Sequence, residues 1–135
     1  MGTWAVDAFG NDYAQDWAED LHETSNLDAV EDTLNTVLDS SAGLEAPFAA
    51  EALVALEVLA RLQGKGGSRT EDSAAVDEWV DARKAKARPR ADLAEKAARA
   101  IERILSPDSE LRQLWEDSEH YTAWRAAVED LRTRL

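Results

Sequence analysis

Two carboxylates one helical turn apart, Asp12 and Asp16, follow Asn11 in the most polar constellation of the chain. Oxygen donors at that spacing beside a turn can ligate Mg2+ or Mn2+, or, if buried, can divide acid and base roles. The structural alternative is a capped helix, with Asn11 or Asp12 accepting from the first unpaired N–H groups and an acid near the positive end of the dipole. Glu51 is the second candidate. Its helical neighbours Pro47, Phe48, Val54 and Ala55 cannot pair with it, whereas Glu57 has Arg61 four residues on. Glu51 is therefore expected to reach an edge or to meet a tertiary donor. Glu110 or Glu116 completes a set that could converge with Asp12, Asp16 and Glu51, as helical bundles do around metals. The Glu-x-x-His pairs usual in such sites are absent, because His22 and His120 fall on predicted polar surfaces. The calcium-loop pattern also fails around Asp7. Whether a divalent metal binds stays open at this point, and no cofactor is expected.

The segments that must position these residues are helical in period. Pro47, Pro89 and Pro107 each lie where a helix should begin, and alternating strand patterns are missing. A first helix is predicted from about Asp12 to Glu23. Tyr13, Ala14, Trp17, Ala18 and Leu21 form its apolar side; Asp12, Asp16, Glu19, Asp20 and Glu23 share the other. Asn26 should cap a second helix to about Ser40, with Leu27, Val30, Leu34, Val37 and Leu38 inward and Asp28, Glu31, Asp32 and Asp39 outward. A third, from Pro47 to Gln63, is apolar almost all round and so belongs at the centre. Further helices are predicted from Ser73 to Lys86, Arg90 to Leu105, through Leu111 to Trp115, and from His120 onward. The Gly64-Lys65-Gly66-Gly67-Ser68 loop lacks the order of a phosphate-binding loop. Of the five Trp, those at 17, 79, 115 and 124 fall on apolar stripes, while Trp4 should fold the N-terminal lead over the bundle.

Charge is distributed unevenly. The first 60 residues hold thirteen Asp and Glu and no Lys or Arg; from Arg61 onward fifteen acids balance fifteen bases. The net charge of −13 therefore sits in the first 60 residues. Like charges on one surface weaken the compact state, so their retention favours a basic partner. The strip Arg83, Lys84, Lys86, Arg88 and Arg90, in the same or another copy, is one candidate, and a separate basic protein is another. Nucleic acid is excluded because phosphate binding needs a concentrated positive field. With no cysteine, disulfide and thiol chemistry are excluded. Neither a membrane span nor a signal-peptide pattern is present, so a cytoplasmic protein is expected.

Two stretches carry a family pattern. Gly2-x-Trp4, Phe9-x-Asn11-Asp12-x-Ala14-x-Asp16-Trp17, and Asp108-Ser109-Glu110-Leu111-x-x-Leu114-Trp115-Glu116 resemble domain-of-unknown-function family 4259, known from small bacterial proteins. Members usually begin Gly-x-Trp-Gly and carry Phe-Asp-Asn-Asp; the corresponding positions here are Ala5 and Gly10. The resemblance implies kinship over nearly the whole chain and no particular activity.

These observations together predict an all-α fold, a compact single-domain bundle of six to seven helices over residues 1–135, with a flexible loop at about 64–70. The favoured function is a non-catalytic, immunity-like or regulatory module that binds a basic protein through its first two helices. A homo-oligomer is left open. The alternative is a carboxylate-dependent metal hydrolase centred on Asp12, Asp16 and Glu51.

Overall fold

Asp7 sets the entry into the first helix. Its Oδ1 accepts from the backbone N–H groups of Phe9 (3.2 Å) and Gly10 (2.9 Å), turning the lead so that Asn11 can cap. Asn11 is extended (φ −154°, ψ 162°), and its Oδ1 accepts from the Ala14 N–H at 2.9 Å. The computed structural model describes residues 5–24, 26–40, 43–67, 69–83 and 90–135. Trp4, Lys84, Lys86, Arg88 and Pro89, to which the sequence assigns roles, lie outside those residues.

Seven helices are present among the described residues: α1 Asp12–Leu21, α2 Asp28–Leu38, α3 Ala46–Leu62, α4 Ala74–Arg83, α5 Ala91–Ile104, α6 Glu110–Glu116 and α7 Tyr121–Thr133. The expected all-α bundle is thus the observed one. The C-terminal ends of α1, α2, α3 and α5 fall one or two residues inside the predicted limits, because fraying ends leave backbone groups that turns satisfy instead. At α2, Asn26 accepts from the Asp28 N–H (3.0 Å), but the capping position is Leu27.

α3 is the axis of the fold and touches every other helix. Residues Ala52 to Arg61 on it are all buried, which is why its sequence shows no polar stripe. Its C-terminus closes in a Schellman motif. Gly64 takes φ +76°, its N–H bonding to the Arg61 carbonyl at 3.0 Å, while the Lys65 N–H bonds to the Ala60 carbonyl at 2.9 Å.

Trp17, Trp79, Trp115 and Trp124 are all buried. Trp115 and Trp124 stack at 6.2 Å and join α6 to α7; such pairs add about 0.5–1.5 kcal/mol beyond their burial. Two aromatic positions depart from expectation. Tyr13 and Phe48 are each 41 % exposed, since each stands at the margin of its helix's buried arc.

Candidate functional site

Trp17, Ala18 and Leu21 pull one side of α1 into the core, and helical spacing then commits the opposite side to solvent. Asp12, Asp16, Glu19, Asp20 and Glu23 are all exposed, and none of the five forms an ion pair among the described residues. Hydrogen bonds on the inner side fix the face. Trp17 Nε1 donates to Thr33 Oγ1 at 2.8 Å, and Gln15 Nε2 donates to the carbonyls of Phe9 (2.8 Å) and Asp72 (2.9 Å). His22 Nε2 lies 2.8 Å from the Ala75 carbonyl, which ties the helix end to α4.

α2 differs. Asp28, Asp32 and Asp39 are exposed, but Glu31 Oε2 accepts from Lys96 Nζ (2.9 Å) and Arg90 Nη2 (3.3 Å) on the α5 side. The Lys96 hydrogen bond, helped by both charges, holds the Glu31 carboxyl below the usual range. Arg90 also pairs with Asp92 at 2.6 Å. Arg83, at the other end of the basic strip, lies over the Trp79 ring at 4.5 Å and donates to the Thr24 carbonyl at 3.3 Å. The chain's own described cations therefore neutralise part of α2 and leave α1 open.

The candidate polar residues are only partly brought together. Asn11 is a cap, and Asp12 and Asp16 belong to the exposed α1 face. Glu110 Oε1 accepts from the Ala46 N–H at 2.8 Å and so caps the start of α3 from across the fold. The Leu44–Ser109 bridge beside it sets that distance, with the Glu110 N–H bonding to the Leu44 carbonyl at 2.8 Å. Glu116 pairs with Arg112 at 3.1 Å. Glu51 reaches an edge, half-buried; burial and then the nearby Asp20 push its carboxyl up. Among the described residues, no group of three or more His, Asp or Glu is placed to hold a metal ion. The carboxylates of the metal reading do not form a ligand set.

A second ionic centre escaped sequence reasoning. Glu57, Arg61 and Asp77 are 6 %, 7 % and 6 % exposed. Arg61 donates through Nη1 to Glu57 and through Nε to Asp77 Oδ1 at 2.7 Å; Ser73 Oγ donates to Asp77 Oδ2 at 2.7 Å. Arg134 Nη2 donates to Glu57 Oε1 at 2.8 Å and carries the end of α7 into the same centre. The Gly64 to Gly67 loop sits on it. A Cβ at Gly66 would lie 2.6 Å from Arg61 Cγ, and one at Gly67 would lie 3.4 Å from the Arg134 guanidinium. Only the Glu57–Arg61 spacing was visible in the sequence.

The family model described as "Domain of unknown function (DUF4259)" matches residues 2–127. The chain belongs to the DUF4259 family. No curated protein and no solved structure matches it. Within this DUF4259 chain, Ala5 and Gly10 lie close across the turn before α1: a Cβ at Gly10 would meet the Ala5 Cβ at 2.4 Å. Among the described residues of the DUF4259 chain, no helix is long and apolar enough to cross a membrane.

Proposed function

We propose that this DUF4259 domain is a non-catalytic interaction module of the cytoplasm whose α1 face docks a basic protein. The observation that carries the reading is the row Asp12, Asp16, Glu19, Asp20 and Glu23, exposed and without ion pairs among the described residues. Glu51 extends the row onto α3, where burial first and Asp20 second oppose its ionisation. A cation placed there relieves repulsion instead of competing with an internal partner.

The face is ordered before binding, so little entropy is lost on docking, and the long-range field would act mainly on the association rate. α2 is the weaker half of the surface, because Lys96 and Arg90 already hold Glu31. Both helices were assigned equal weight from sequence; the ion pairs favour α1.

Amide-shift mapping with an arginine-rich peptide tests this. The reading expects perturbations concentrated on residues 12–23 and at Glu51, fading between about 20 and 200 mM salt as screening sets in. Perturbations spread evenly over every exposed acid would refute a specific face.

A further inference from the structure

The N-terminal lead, α3 and α7 enclose a half-open cavity of about 180 Å3. Its walls are apolar: Phe9 from the lead, Leu53 from α3, and Val128 and Leu131 from α7. Its floor is ionic, made by Glu57, Arg61 and Arg134. A largely apolar cleft with a few convergent polar groups is the usual form of a small-molecule site. The floor is also an uneconomical structural device, because apolar residues of similar volume often hold helices as well as a buried ion network does.

The charge inventory indicates what would bind. Asp7, Glu57 and Asp130 line the cavity against Arg61 and Arg134, and Asp77 stands behind Arg61. Among the described residues, acids therefore outnumber cations there. The Arg134 guanidinium is turned onto protein acceptors, Glu57, Asp130 and the Lys65 carbonyl. Carboxylate oxygens are left over: Asp7 uses Oδ1 for its turn, and Asp130 uses Oδ2 for Arg134. An incoming anion would add to the excess, whereas an incoming cation would balance it. A wider apolar groove of about 370 Å3 beside α5 lacks such an orienting group, since its Arg90 is already bound by Glu31 and Asp92.

We infer that the cavity binds a small primary amine with an aromatic or branched aliphatic body, its ammonium group on the Asp7 and Asp130 carboxylates and its body between Leu53, Val128 and Leu131. The site shares no residue with the α1 face and stands or falls independently of it.

Benzylamine, benzyl alcohol and benzoate, near-equal in shape and different in charge, test the assignment by amide shifts on the full chain. Benzylamine should give saturable shifts at Phe9, Leu53, Glu57, Val128 and Leu131, benzyl alcohol weaker ones, and benzoate none. Ala127→Leu, which fills the cavity from its half-buried rim, should abolish them. Asp130→Asn removes an exposed rim carboxylate and should weaken benzylamine about threefold, the scale of one partly exposed charge pair, with the melting temperature retained. Equal shifts from benzoate, no saturable shift, or benzylamine shifts confined to the α1 acids would overturn the assignment.

Discussion

Ala5 and Gly10 are complementary. The Ala5 N–H bonds to the Gly10 carbonyl at 3.0 Å, and the Ala5 methyl occupies the space a side chain at position 10 would need, 2.4 Å from such a Cβ. The two positions therefore share one small space across the turn that leads into α1.

That relationship predicts a double-mutant cycle. Gly10→Asp alone should destabilise the protein by about 1–3 kcal/mol, the usual effect of forcing atoms into a filled space. Ala5→Gly in the same chain should recover most of the loss, giving a coupling energy of about 0.5–3 kcal/mol in urea unfolding. Additive losses would show that the two positions are independent.

The buried ion centre predicts an asymmetry between breaking and replacing. Glu57→Gln leaves Arg61 and Arg134 short of a charge partner at a site that is 6 % exposed. Urea unfolding should register a loss of about 3–5 kcal/mol, as when one partner of a buried pair is removed. Replacing Glu57, Arg61 and Asp77 together by Met, Met and Leu should cost far less. A triple variant at least as unstable as the single one would contradict this account.

Two glutamates should give opposite pH signatures. Burial and then Asp20 raise Glu51, so the folded state holds its proton more tightly than the unfolded state does. Stability from this group falls as pH rises through the window above the ordinary glutamate value, and Glu51→Gln should raise the melting temperature at pH 7 but not at pH 3. Lys96, through its hydrogen bond, and Arg90 lower Glu31. Its contribution is present above the unfolded value and disappears as pH falls through the folded one, so Glu31→Gln should lower the melting temperature at pH 7 and be silent at pH 3. Paired thermal melts at the two pH values check both signs.

The helices were legible in the sequence because their punctuation is local. Asn11, Pro47, Gly64 and Ser109 act within a few residues of themselves, and all four mark helix ends in the structure. The centrality of α3 was legible because a helix without a polar stripe has to be surrounded. What stayed hidden was long-range. Arg134 reaches Glu57 across 77 residues and Glu110 caps Ala46 across 64, and no spacing rule connects such positions. Tyr13 was assigned inward because periodicity locates a stripe but not its width. The acids of α1 and α2 looked alike in sequence, and only the approach of Lys96 and Arg90 from α5 separates them.

The most direct test compares proteins co-purified by the wild-type chain, by an α1 variant (Asp12→Asn, Asp16→Asn, Glu19→Gln, Asp20→Asn, Glu23→Gln) and by an α2 variant (Asp28→Asn, Asp32→Asn, Asp39→Asn). At low salt the wild type and the α2 variant should recover the same basic protein. The α1 variant should lose it, although its melting temperature should be unchanged or slightly higher because neighbouring like charges are gone. Recovery of the same proteins by all three chains, or of no basic protein by the wild type, would contradict a docking role for α1.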